Sequence, residues 1–283
     1  MANRLAGKVA IVTGAGSRGP GLGNGKAAAI LFAREGARVL CVDLMKERAE
    51  ETVGLIAAER AAAGTERAAA GAERAAAGAE RAAGGADHGE AVGFSGDVSR
   101  AADCDAMVDE AVRRWGTVDV LHNNVGIASR NDLFETTEDE WDRVMSVDLK
   151  SMFLATRSAA RLMVQRGKGS IICVSSVAAL RATRLTAYGS AKAGVIGFVR
   201  TAAGQLGPRG VRVNAIAPGM VWTPMVEDLG AAAREQRRAA SLLGTEGTGW
   251  DVAWGAVYLA SEESRWVTGQ TLVIDAGVTL TTR

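Results

Sequence analysis

Histidine is nearly missing from this chain. His88 and His122 are the only two in 283 residues, and neither stands in a cluster with metal-ligand spacing, so a metal site is not expected. Cysteine is scarce too. Cys41, Cys104 and Cys173 are far apart and form no C-x-x-C pair, which points to buried apolar thiols in a reducing compartment rather than to a disulfide framework. No G-x-S-x-G elbow is present, which removes one common esterase arrangement. An excess of charge of one sign is absent: 33 basic against 32 acidic residues leave a formal net charge of +1. Such a surface offers no basic field for nucleic acid or an anionic membrane. No uninterrupted apolar run approaches membrane-spanning length, and the N-terminus enters a strand-like segment without a long apolar stretch. These limits fit a cytoplasmic protein, and 48% apolar residues suffice for a sizeable core.

What is present is alternation. Short β-branched runs occur at Val9–Thr13, Arg38–Asp43, Ala91–Phe94, Val118–Asn123, Ser170–Ser175, Val211–Ala217 and Thr271–Asp275. Most are apolar without a period of two, the pattern of parallel strands covered on both faces. Between them lie Ala-rich amphipathic segments at Leu22–Arg34, Lys46–Ala58, Ala101–Trp115, Glu138–Gln165, Ala187–Leu206 and Asp251–Leu259. Strand–helix alternation predicts an α/β, Rossmann-type, doubly wound parallel sheet of about seven strands with helices on both faces. No linker divides the chain, so 1–283 is read as a single domain. One stretch breaks the rhythm. From Glu59 the sequence repeats ERAAAGT, ERAAAGA, ERAAAGA, ERAAGGA. Heptads suggest a coiled coil, yet nothing larger than Ala occupies a seam position, and each repeat carries a helix-weakening Gly. Residues 59–85 are read as a low-complexity insertion, a frayed helix or disordered loop, over a partner-binding extension.

The first strand runs into Thr13-Gly14-Ala15-Gly16-Ser17-Arg18-Gly19-Pro20-Gly21-Leu22-Gly23. Glycines there permit a tight turn and let backbone N–H groups approach a pyrophosphate at a helix N-terminus. Asp43 closes the next strand, 20 residues past Gly23. A carboxylate at that place accepts hydrogen bonds from ribose hydroxyls and repels a 2′-phosphate, which favours NAD over NADP. Arg18 in the same loop is the residue that would receive such a phosphate instead. Two later strand ends, Asp97-Val98 and Asn123-Asn124-Val125-Gly126, suit further cofactor contacts; each alone also reads as a loop-stabilising turn.

The fifth strand ends at Ser175-Ser176, and Tyr188-Gly189-Ser190-Ala191-Lys192 follows. Tyr and Lys four apart share a helix face. A neighbouring ammonium favours the phenolate, which would make Tyr188 a general base for an alcohol or an acid for a developing alkoxide. A lone Y-x-x-x-K specifies little by itself.

Taken in order, these pieces resemble the short-chain dehydrogenase/reductase family from Lys8 to Gly277, broken chiefly by the repeats. The matched elements are the loop from Thr13-Gly14 to Gly23, Asp97-Val98, N-N-x-G at 123–126, Ser176, Y-x-x-x-K at 188–192, Pro218-Gly219 with Thr223, and the closing V-T-G-Q and I-D-A-G. The resemblance implies a nicotinamide-dependent oxidoreductase acting on a secondary alcohol or ketone of a small molecule, and a homo-oligomer, often a tetramer. It implies Ser176 as binder of the substrate oxygen, Tyr188 as acid/base and Lys192 as ribose binder and modulator of the tyrosine. Gly14, Ser17, Gly21, Leu22, Gly23, Asp43, Asp97, Val98, Asn124 and Gly126 would line the cofactor, with Tyr188 and Lys192. Pro218, Val221 and Thr223 would frame the nicotinamide, and Met220–Gly247 would form the substrate lid.

Four departures stand out. The Gly loop is about three residues longer than the family's. Val125 replaces Ala. Ser176 lies one residue nearer Tyr188 than usual, which keeps Ser175 as the fallback. Asp148 occupies the place of the Asn that serves as fourth catalytic residue. Asp148 alone favours a second reading, a cofactor-binding sensor or regulatory subunit that has lost turnover; the intact Ser176, Tyr188 and Lys192 favour the enzyme.

Overall fold

The structure is a computed structural model that describes residues 3–19, 21–76 and 89–281. Seven strands form one all-parallel sheet: β1 Val9–Thr13, β2 Arg38–Asp43, β3 Ala91–Ser95, β4 Val120–Asn123, β5 Gly169–Val174, β6 Val211–Pro218 and β7 Thr271–Ile274. Their order is β3-β2-β1-β4-β5-β6-β7. This is the doubly wound sheet expected from the apolar runs, with strand ends displaced by two residues at most.

The absence of alternation along the strands now has its cause, because helices cover both faces. Ala10, Val12, Val39 and Cys41 turn to one face and pack with α1 (Asn24–Arg34), α2 (Lys46–Ala76) and α8 (Gly249–Ala260). Val9, Ile11, Leu40 and Val42 turn to the other and meet α3 (Ala101–Trp115), α5 (Ser151–Arg166) and α6 (Thr186–Leu206). Burying both faces of a short strand removes a large apolar area from water, at roughly 25 cal/mol per Å², and leaves no polar face for the sequence to alternate with.

Three helical expectations need correction. The segment read as one helix over Glu138–Gln165 is α4 (Glu138–Met145), a π-helical turn at Ser146–Lys150, and α5. Hydrophobic periodicity does not register one wide turn inside an otherwise continuous helix. The helix read as ending at Ala58 continues to Ala76, so the first repeats extend α2 as regular helix; Ala outweighs the occasional Gly there. The remainder of the insertion, 77–85, lies outside the described residues. Within Met220–Gly247 the chain forms a further helix, α7 (Gly230–Ala239), which has no large apolar side chain and buries no residue and was not marked as a helix in the sequence. No helix among the described residues is long and apolar enough to cross a membrane.

His122 occupies the sheet interior on β4. It is fully buried, neither ring nitrogen has a hydrogen-bond partner, and its ring lies edge-on to Phe32 with centroids 5.9 Å apart. Burial pushes the imidazole down from 6.5 to about 4. Below pH 6.5 the unfolded chain takes up a proton that the folded chain refuses until about pH 4. Stability is therefore expected to fall across that window, by roughly 3 kcal/mol in total. Urea denaturation at pH 7 and pH 5 checks this: His122→Leu should lack this share of the acid sensitivity. A Leu variant with an unchanged pH dependence would assign the loss to other groups.

Candidate active site

Between β1 and β4 the direction of winding reverses, and the turns after these strands part to opposite faces, opening a crevice at the carboxyl ends. The turn after β1 is shaped by Gly14, whose φ of +64° is the left-handed conformation that side chains resist. Helix α1 comes up hard against this turn: a Cβ on Gly25 would lie 2.1 Å from the Gly14 carbonyl oxygen. Gly23 is the N-cap of α1 and provides no side-chain cap, so first-turn N–H groups remain available at the positive end of the helix. Ser17 Oγ accepts from Gly23 N at 3.2 Å and closes the enlarged loop on itself. Gly21, at φ +116°, faces Pro224 of the lid; an added Cβ would stand 3.5 Å from its ring. Leu22 packs against the core instead of starting the helix.

Asp43 stands at the end of β2. Its Oδ2 accepts from Gly16 N and its Oδ1 from Met45 N, each at 3.1 Å, so the carboxylate is aimed by two backbone amides. Gly16 was not singled out from the sequence, although a Cβ there would lie 2.5 Å from Arg48 Cβ and 2.8 Å from Asp43 Oδ2. Asn124 ties β4 to β1: its N–H donates to Thr13 Oγ1 at 3.1 Å and its side-chain Nδ2 to the Gly14 carbonyl at 3.2 Å. Asn123 turns inward, to Thr156 and Cys173. Asp97 receives Ser99 N and Oγ, and Val98 is buried behind it. Pro218 ends β6; Val221 is buried, and Thr223 follows at the start of the lid. Among the described residues no group of three His, Cys, Asp or Glu side chains is placed to hold a metal.

The second half of the site is built on α6. Tyr188 and Lys192 share one face near its start, with the Lys192 Nζ 5.6 Å from the Tyr188 ring centroid. Ser176 caps a short 3-10 turn, Val177–Ala179, by accepting from Ala178 N at 3.1 Å. That turn lies against Gly189, where a Cβ would sit 3.4 Å from the Ala178 carbonyl. Ser175 is buried, and its hydroxyl donates to the Lys192 carbonyl at 2.7 Å. Its donor is thus committed to positioning α6, while Ser176 stays partly exposed.

Asp148 sits in the π-turn, fully buried, and its Oδ2 is 3.2 Å from Lys192 Nζ. Its Oδ1 accepts from Ile127 N at 2.8 Å. Lys192 Nζ also donates to the Val174 carbonyl at 3.2 Å. Burial opposes the ammonium, but the Asp148 carboxylate beside it outweighs burial and holds the lysine above its usual range. Sequence spacing gave no sign of Ile127, whose backbone N–H fixes the carboxylate.

Comparison with known proteins decides the family. Residues 53–279 match a family described as enoyl-(acyl carrier protein) reductase. The chain is 36% identical to 3-oxoacyl-(acyl-carrier-protein) reductase FabG of Thermotoga maritima, over 98% of this chain and 100% of that one. It is 34% identical to (3R)-3-hydroxyacyl-CoA dehydrogenase of Mus musculus, covering 97% of each. The chain belongs to the short-chain dehydrogenase/reductase family. A crystal structure of a short-chain type dehydrogenase/reductase from Mycobacterium marinum superposes with a TM-score of 0.83 at 26% identity, over 99% of this chain and 98% of that one. Family membership makes the protein an oxidoreductase that works with NAD(P) and a small-molecule substrate.

The residues present suit such a cofactor. The crevice presents uncapped helix N–H groups for a pyrophosphate, room that the Gly16 and Gly25 contacts would deny to any larger residue, and an oriented carboxylate at the end of β2 for ribose hydroxyls.

Gly126 makes a direct test of the site's geometry. A Cβ there would lie 3.0 Å from Lys192 Nζ and 3.1 Å from Asp148 Oδ2. Its φ is not in the left-handed region, so alanine is tolerated by the backbone and the strain falls on the ion pair. Gly126→Ala asks the pair to give by a few tenths of an ångström, so it is expected to lower kcat/KM by about 10-fold, less than the ~10²-fold cost of a full 1 Å misplacement, while thermal stability changes little. Parent-like kinetics would show that the pair moves aside at no functional cost.

Proposed function

We propose that this protein is an NAD(H)-dependent oxidoreductase that exchanges a hydride with a secondary alcohol or ketone, with 3-hydroxyacyl and 3-oxoacyl thioesters as its leading substrate class. The observation that carries the reading is the pairing of Tyr188 with the buried, positively charged Lys192 on one face of α6, next to the turn capped by Ser176. The named substrates of the Thermotoga and mouse relatives support the thioester class. Met225, Leu242 and Leu243, exposed on the lid segment, would accept an apolar acyl chain.

When bound, the nicotinamide cofactor supplies or accepts the hydride. The chain's own residues hold the reactants and move the proton. Loop 14–23 and the first turn of α1 hold the pyrophosphate, Asp43 the adenosine ribose, Asp97, Val98, Asn124 and Gly126 line the middle of the crevice, and Pro218, Val221 and Thr223 border its far end. Ser176 holds the substrate oxygen through its hydroxyl. Tyr188 donates its phenolic proton to an alkoxide as it forms, or withdraws the proton from an alcohol. Lys192 holds the ribose hydroxyls and places a positive charge beside the phenol. Asp43 is the reason for preferring NAD(H): its anchored carboxylate repels a 2′-phosphate. Arg18, exposed, and Arg48, beside Gly16, are the cations that would favour one.

Two measurements test this reading. In the first, kcat/KM is compared for NADH and NADPH with acetoacetyl-CoA and a panel of simple ketones. NADH is expected to be preferred, and equal or better performance with NADPH would overturn the role given to Asp43. In the second, Tyr188→Phe should bind NADH as the parent does and lose about 10²–10⁴-fold in turnover, the usual worth of a general acid–base. A Phe variant within a few-fold of the parent would remove Tyr188 from the mechanism.

A further inference from the structure

The corner behind Tyr188 holds one buried cation and two acidic groups that compete to neutralise it. Lys192 and Asp148 side chains are 3% and 0% exposed, with 3.2 Å between Nζ and Oδ2. The second carboxylate oxygen is fixed by the Ile127 N–H, so the carboxylate cannot swing away without leaving a buried amide unpaired. Tyr188, also on α6, places its ring 5.6 Å from the same Nζ. From β5, the thiol of Cys173 acts on Lys192 as well, but burial pushes it up to about 11 and it stays neutral. The loop after β4 meets this corner through the backbone of Gly126 and Ile127.

We propose that Asp148 is a positioning residue that serves as the counter-ion of Lys192 and thereby keeps Tyr188 in its neutral, proton-donating form at neutral pH. A buried ammonium calls for one nearby anion, and an unpaired charge in such a place is costly. With the carboxylate in contact, the corner is electrically neutral before the phenol ionises. A phenolate would then be a second anion facing no net positive charge. Remove the carboxylate's charge, and Tyr188 becomes the group left to balance Lys192, so the ammonium–phenolate pair forms more easily. The consequence deepens the proposed acid/base role of Tyr188, on which it rests. The phenol remains available to protonate an alkoxide over a wide pH range, whereas alcohol oxidation, which needs the phenolate, is displaced to higher pH.

The chain contains only two tyrosines, Tyr188 and Tyr258, which makes the test spectroscopic. Tyr258 is part-buried against the core on α8, and Tyr258→Phe keeps its ring. In that background the ultraviolet phenolate band reports Tyr188 alone, in the cofactor-free protein and without substrate. Asp148→Asn and Asp148→Ala are both expected to move the onset of phenolate formation down by about one pH unit. The pH profile of NAD⁺-linked 3-hydroxybutyryl-CoA oxidation should move the same way. Asn and Ala should agree, because both remove the charge; a purely structural role would separate them. Superimposable phenolate titrations, an upward shift because Lys192 loses its proton instead, divergence of the two variants, or failure of both to fold would each overturn the proposal. Since the titration needs no substrate, a failure of the thioester reading leaves its outcome intact.

Discussion

The reversal of winding between β1 and β4 is the constraint on which everything at this site depends. Strands β2 and β3 are added to one side of β1, and β4 to β7 to the other. Right-handed crossovers then send the two sets of helices to opposite faces, and only at the β1–β4 junction do neighbouring turns diverge. The gap would weaken the sheet end were it not bridged. Asn124 supplies the bridge, bonding to Thr13 and to the Gly14 carbonyl across it. The crevice is thus held open by a polar clamp at its base, while α1 is pressed against its rim by the missing side chain of Gly25.

Polar groups inside this fold are tolerated on two different terms. His122 is buried without partners and stays neutral, because a charged imidazole there would have nothing to offset its desolvation. Lys192 is buried to a similar extent and stays charged, because Asp148 is in contact with it. The difference is one of neighbours, not of depth. Removing one member of such a buried pair strands the other, which is why pairs of this kind reward neutral isosteres as probes more than truncations.

The sheet was legible from sequence because its strands are apolar on both faces and short, a pattern few other arrangements produce. The glycine-rich turn and the pairing of Tyr188 with Lys192 were legible because their geometry depends on local spacing: a strand end followed by a helix start, or two side chains one helical turn apart. The relation of Asp148 to Lys192 was not. It joins residues 44 apart in sequence, through a π-turn that alters which side chains point inward without altering the apolar periodicity around it. For the serines, the sequence favoured Ser176 with Ser175 as the fallback, but it could not show what either hydroxyl bonds. The structure distinguishes them physically: Ser175 is buried and donates to the Lys192 carbonyl, whereas Ser176 stays partly exposed. Gly16 and Ile127 escaped notice for a simpler reason: each acts through its backbone, which every residue possesses.

The Tyr188–Lys192–Asp148 corner and the segment Met220–Gly247 are held in physically different ways. Tyr188, Lys192 and Asp148 stand on elements anchored in the core, and their mutual geometry follows from packing around Val195, Val199 and Ala191. The lid segment Met220–Gly247 has few buried side chains, chiefly Val221 and Ser241. It is held instead by polar contacts: Glu246 receives Arg234 at 2.8 Å and Arg237 at 3.0 Å, and Arg237 also donates to the Val221 carbonyl. Arg234 lies over the Trp222 ring as well. A segment secured this way can change its side chains without disturbing the core, and it opens at lower cost than the sheet. Substitutions in this segment are therefore tolerated more readily than substitutions around Tyr188, Lys192 and Asp148. The same difference explains why the reaction class can be read from the chain while the substrate must be measured.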